Sequence, residues 1–133
     1  MRYFILSLIV SIGLSGAARA DETALRAVIS SQIEAFLSED LERAFSHASP
    51  FIQRKFDTPE GFGRMVREGY PMVWRPSDVT FLEAEVIAGK LWQSVLLRGP
   101  AGKFWIVEYE MVKREDGLKI NGVRVRLAPG AAA

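Results

Sequence analysis

From Asp21 to Val66 the apolar residues recur at intervals of three and four; from Ser77 to Leu127 they mostly alternate with polar ones. The first period belongs to helices buried along one side, the second to strands with one buried face. Leu25, Val28, Ile29, Ile33, Phe36 and Leu37 form one apolar stripe and predict a helix that Asp21 or Thr23 caps and that ends near Ser38. Asp40 or Ser38 caps a second, shorter helix with Leu41, Ala44, Phe45 and Ala48 inward. Ser49-Pro50 stops it, because a residue before proline is pushed out of the helical region. Phe51–Phe56 predicts one more helical turn, with Ile52 and Phe56 inward. Thr58-Pro59-Glu60-Gly61 is a helix start, with Thr58 as cap and Pro59 as first residue. Phe62, Met65 and Val66 share its buried face, and Gly69 ends it. Tyr70-Pro71 and Arg75-Pro76 are expected to hold Met72-Val73-Trp74 as an extended apolar crossing.

Four strands follow. Ser77–Ile87 and Leu91–Arg98 precede a hairpin over Lys103–Leu127, which reads as two alternating runs joined by Glu115-Asp116-Gly117. A three-residue loop with glycine in the left-handed position pairs Arg114 with Leu118, Met111 with Asn121, Tyr109 with Val123 and Val107 with Val125. That register gathers Trp105, Val107, Tyr109, Met111, Val123, Val125 and Leu127 on one face. Ile106, Glu108, Glu110, Arg124 and Arg126 take the other, with Glu108 opposite Arg124. A two-residue Asp-Gly turn would mix apolar and charged residues on both faces. Carried back through Gly99–Gly102 and Ala88–Lys90, the register adds Leu82, Ala84, Val86, Trp92, Ser94 and Leu96 to the inner face. It sends Phe81, Glu83, Glu85, Ile87, Gln93, Val95 and Leu97 outward. The fold class is α+β: N-terminal helices packed on one face of a curved four-stranded antiparallel sheet, in one domain over 21–127 with a frayed tail at 128–133.

Composition changes the picture at the N-terminus. Arg2, the apolar run Tyr3–Leu14 and Ala18-Arg19-Ala20 have the form of a secretory signal peptide cleaved after residue 20. Twenty residues removed from 133 leave 113, beginning at Asp21, enough to bury a core without staples. Without Arg2 and Arg19 the charge is 15 basic against 16 acidic residues, so nothing electrostatic points to nucleic acid or to stable membrane insertion after cleavage. There is no cysteine and one histidine, which removes disulfides and thiol chemistry and argues against a metal site or any cofactor held by one. Export with this composition implies a periplasmic or secreted protein. Gly61 and Gly63 belong to a helix start, since no Lys-Ser or Lys-Thr follows to make a phosphate loop.

Gln32 to Phe36, Asp40 with Ala44-Phe45, Ala48-Ser49-Pro50, Phe62 with Met65-Val66, Gly69-Tyr70-Pro71, and Arg75-Pro76 running into Phe81-Leu82 together resemble a secreted bacterial family, domain of unknown function 4864. The resemblance spans nearly all of the mature chain; Met72 stands where that family tends to carry a second proline. Helices followed by a curved antiparallel sheet also resemble the nuclear transport factor 2-like, or cystatin-like, superfamily. The family resemblance implies a fold and export but no chemistry, and the superfamily hosts isomerases, dehydratases and purely binding members.

The superfamily resemblance implies a pocket between the helices and the concave sheet face. Ligand-pocket candidates there are Trp92, Ser94, Trp105, Tyr109 and Asn121, with Tyr70 and Trp74 near the mouth; the competing reading is that the aromatics fill the core. An acid–base enzyme would need a carboxylate base beside a donor such as Tyr109 or Tyr70. Glu83, Glu85, Glu108 and Glu110 all point away from that face in the expected register, and Asp40 and Asp57 read as caps or loop residues. No catalytic residue is therefore assigned. His47 lies off the apolar stripe of its helix and reads as a boundary residue that could titrate near neutral pH. On the outer face, Phe81, Val95, Leu97, Phe104 and Ile106 make an apolar patch beside Glu108 and Arg124, a candidate homodimer interface. The expected function is a non-catalytic secreted module binding a small apolar ligand or a protein partner. The alternatives are a cofactor-free isomerase- or dehydratase-like enzyme using the same pocket, and an envelope factor acting through the sheet face.

Overall fold

The computed structural model describes residues 13–130, with side chains from Asp21 onward. Among the described residues five α-helices precede four strands: α1 Gly13–Leu37, α2 Leu41–Ser46, α3 Pro50–Phe56, α4 Pro59–Gly69, α5 Pro71–Trp74, β1 Asp78–Ile87, β2 Lys90–Arg98, β3 Phe104–Arg114 and β4 Gly117–Leu127. The strands form one antiparallel sheet in the order β1-β2-β3-β4. The α+β class and the helices-then-strands order are as the periodicity predicts. Most of the signal-peptide expectation lies outside the described residues. Helix α1 runs without a break from Gly13, so in the full chain Asp21 and Thr23 are interior positions rather than caps.

Local chemistry explains most helix boundaries. Asp40 caps α2 by accepting from Arg43 N, Ser49 caps α3 by accepting from Ile52 N, and Thr58 caps α4 by accepting from Gly61 N. Prolines 50, 59 and 71 occupy first-turn positions, where the missing N–H costs nothing. Pro71 corrects one expectation: Met72-Val73-Trp74 is a turn of helix, not an extended segment. A proline restricts the residue before it, here Tyr70 at φ −136°, and its own fixed φ suits a helix start. Met72 and Val73 are buried all the same.

The core lies between the helices and one sheet face. Leu25, Ile29, Ile33 and Phe36 of α1 are buried, whereas Leu37, expected on the same stripe, is exposed. Phe62 of α4 is the centre of an aromatic cluster, with Phe36, Phe45 and Phe56 ring centroids 5.8, 5.5 and 6.0 Å away. From the sheet come Val95, Leu97, Val107, Tyr109, Met111 and Ile120.

This membership overturns part of the expected register. Val107 pairs with Val125, Glu108 with Arg124 and Tyr109 with Val123, as predicted. Nearer the turn the ladder slips: Met111 pairs with Ile120 and Arg114 with Gly117, leaving Asn121 as an extra residue. Between β2 and β3, Arg98 pairs with Phe104, so the loop has five residues, Gly99 to Lys103, not four. One extra loop residue reverses the parity. Gln93, Val95 and Leu97 therefore share the core face with Tyr109, Val107 and Trp105, while Trp92, Ser94 and Leu96 face outward beside Glu110, Glu108 and Ile106. Between β1 and β2 the loop is Ala88-Gly89 alone, and Leu82 and Glu83 bulge opposite Ser94. The bulge reverses parity again, so Phe81 pairs with Val95 on the core side, Ala84 keeps its expected side, and Leu82 does not. Gln93 is wholly buried and its amide holds the bulge, donating to the carbonyls of Leu82 at 3.1 Å and Glu83 at 3.4 Å. Val86 and Leu127, expected in the core, lie at the sheet ends and are exposed.

Candidate functional site

A cavity of about 240 Å³ lies between the helices and the core face of the sheet. Its helical side is Gln32 and Phe36 of α1, Phe51, Ile52, Lys55 and Phe56 of α3, and Phe62, Met65 and Val66 of α4. Tyr70 and Val73 also line it, and Tyr109, Ile120, Asn121 and Val123 form the sheet side. The spacing that puts Ile52 and Phe56 on one face of α3 points them into this space. Helix α3 buries none of its side chains completely, and Phe51 is 55% exposed.

Few polar groups face the cavity. Gln32 is buried, and its amide donates to the Ala44 carbonyl at 3.1 Å. Tyr109 is wholly buried, and its hydroxyl has no hydrogen-bond partner among the described residues. Burial pushes the phenol well above its ordinary pKa, so it is a hydrogen-bond donor and not a base at neutral pH. A buried hydroxyl is normally paired; Tyr109 lines the cavity, and its hydroxyl is an unused donor inside the apolar core.

A second cavity, about 630 Å³, adjoins the first: Phe51 and Asn121 line both. A hydrogen-bonded chain crosses this junction. Ser49 donates to Asn121 Oδ1 at 2.7 Å, and Asn121 Nδ2 donates to Glu110 Oε2. Lys90 Nζ lies 3.4 Å from the other Glu110 oxygen. The β4 slip makes this chain possible, since the extra residue re-aims Asn121 out of the ladder. Ile120 fixes the neighbourhood by accepting from Ser49 N and donating to the His47 carbonyl, both at 2.8 Å. The signal for the slip is Asn121-Gly122, a turn-forming pair inside an alternating run. Glu110, Ser49 and Gln32 were not among the expected site residues.

Of those expected in the pocket, Tyr70, Tyr109 and Asn121 are together on the cavity wall. Trp105 is on the core face but stands against Gly99, where an added methyl would lie 3.2 Å from its Cδ1. Trp74 packs on Phe36 at 5.6 Å and under the Arg75 guanidinium at 4.5 Å. Trp92 and Ser94 are on the opposite sheet face, where Arg124 lies 3.8 Å over the Trp92 ring. The expected interface also divides. Val95 and Leu97 are fully buried, and Phe81 packs against that core with Arg26 5.6 Å above its ring. Phe104, Ile106, Glu108 and Arg124 stay on the outer side, Glu108 between Arg124 at 3.8 Å and Arg126 at 3.7 Å. His47 bonds Ser31 Oγ at 2.8 Å, and its pKa is lowered by burial, then by Lys119 and Arg43.

Tyr109 and Glu110 are consecutive on a strand and point to opposite faces, so donor and carboxylate line different cavities. No three acidic or histidine side chains converge as a metal site among the described residues. A family model described as a domain of unknown function (DUF4864) matches residues 18–133, and the chain belongs to that family. No curated protein and no solved structure matches the chain.

Proposed function

We propose that this DUF4864 member is a secreted, non-catalytic binding module, of the nuclear transport factor 2-like kind, that takes a small and mainly apolar molecule between its helices and its sheet. The observation that carries the reading is the wholly buried Tyr109, which lines the 240 Å³ cavity and whose hydroxyl has no hydrogen-bond partner among the described residues. Its donor suits one oxygen acceptor, a ketone or hydroxyl, and the surrounding aromatics and aliphatics suit the rest of the molecule. The volume is below the ~300–1,000 Å³ of drug-sized sites, so a single ring or a medium-length chain fits better than a fused polycycle. The secretory character rests on the form of the first twenty residues, and the superfamily on the helix-then-meander order.

The test is native mass spectrometry of the protein purified from its own host, followed by calorimetric titration with cyclohexanone and octanol. Retained mass or saturable binding that Val66→Phe abolishes by filling the cavity supports the reading. Absence of retained mass and of binding by either probe would reject it.

A further inference from the structure

We infer that the two adjoining cavities form one composite site for an anionic amphiphile, with its hydrocarbon part beside Tyr109 and a carboxylate or phosphate head in the larger cavity. This rests on the binding-module reading and names the chemical class of its ligand. The two spaces meet at Phe51 and Asn121, so one molecule can extend from one into the other. Their walls differ in kind. The smaller is mostly apolar, whereas the larger carries Arg54, Lys90, Lys113 and Arg114 against the single carboxylate of Glu110.

That carboxylate is already engaged by Asn121 and Lys90, and Lys113 lies 3.8 Å from Asp21. Arg54 and Arg114 make no ion pair among the described residues. Two arginines that line one cavity and make no ion pair among the described residues, Arg114 lying beside Glu115 and Asp116 in a neighbouring depression, are suited to a terminal anion, which each can bind through paired N–H donors. Helix α3 serves both halves, presenting Ile52 and Phe56 to the apolar space and Arg54 to the charged one. Phe51 stands at the junction as an exposed aromatic that a hydrocarbon chain would cover. A neutral ligand would use only half of this arrangement, and a small inorganic anion only the other half.

The experiment is calorimetric titration of the whole protein with octanol, octanoate and octyl phosphate at low and high salt. The anions are expected to bind about tenfold or more tighter than octanol, with the advantage shrinking as salt screens it. The stronger of octanoate and octyl phosphate tells a carboxylate source from a phosphate source. Arg54→Gln with Arg114→Gln, both exposed positions, should bring the anions down to the octanol affinity and leave octanol itself unchanged. If octanol binds and the anions bind no tighter, or the double variant keeps their advantage, the composite site is overturned while the apolar cavity stands. If none of the three binds, both readings fall.

Discussion

The Ser49 hydroxyl donates to Asn121 Oδ1 at 2.7 Å while its oxygen also accepts from Ile52 N at 3.3 Å, so one buried side chain caps α3 and holds the displaced residue of β4. These residues are 72 apart in the chain. The contact ties the helix over the cavity to the strand beneath it. Ser49→Ala removes both bonds and leaves Asn121 Oδ1 without its donor. The expected cost is about 1–3 kcal/mol, from a lost cap and a half-buried acceptor left unpaired. Urea unfolding measures it, and faster amide exchange confined to α3 would show the local part. A loss no greater than that of an exposed Ser38→Ala control would contradict the linkage.

Tyr109→Phe should separate stability from binding. The hydroxyl is buried without a partner among the described residues, so deleting it is expected to raise stability by ~1 kcal/mol while weakening any ligand that accepts its hydrogen bond. Denaturant midpoints and titration with cyclohexanone check the two arms. A variant less stable than the parent would mean that the hydroxyl is satisfied in the folded protein.

His47 makes stability depend on pH. Its folded pKa is lowered from 6.5 by burial and by the neighbouring Lys119 and Arg43. The folded state therefore favours the neutral ring, and the unfolded chain binds more protons below that value. The stability it supports is complete above the unfolded pKa and declines as pH falls through 6.5 toward the folded value. Urea midpoints between pH about 8 and about 5 should show a slope that His47→Gln flattens. An unchanged slope in the variant would assign it to other groups.

Ala88 sits at φ 52° and Gly89 at φ 78°, the conformation of a two-residue turn with both central residues left-handed. Alanine is strained there. Ala88→Asn supplies the residue such turns prefer and should stabilise by ~0.5–1 kcal/mol, seen as a rise in Tm of a few degrees. No rise would mean that the turn relaxes away from this geometry in solution.

The sheet register shows where reading by pattern ends. Alternation in β3 and β4 is strong, so Val107, Tyr109, Val123 and Val125 fall on the core side and Glu108 meets Arg124 as expected. Strand β2 carries apolar residues on both faces, Val95 and Leu97 on one, Trp92 and Leu96 on the other. Either assignment satisfies its pattern, and only the loop length chooses between them. Five residues in place of four put Val95 and Leu97 inside, which removes these two from the expected interface and takes Trp92 and Ser94 out of the expected pocket.

The α+β class and the order of helices before strands are legible in the sequence, because caps, prolines and hydrophobic periods act within a few residues, whereas the helical turn at Pro71–Trp74 is not. Tyr70, Tyr109 and Asn121 line the cavity, but of these only Tyr109 keeps the hairpin partner that alternation gives it, since the slip in β4 takes Asn121 out of its expected pair with Met111. Tertiary structure decided the faces of β1 and β2, the bulges at Leu82-Glu83 and Asn121, and the meeting of Ser49, Asn121 and Glu110. Those depend on single-residue offsets between distant segments, where one shift of parity reverses a whole strand and no local preference outweighs the packing of the core.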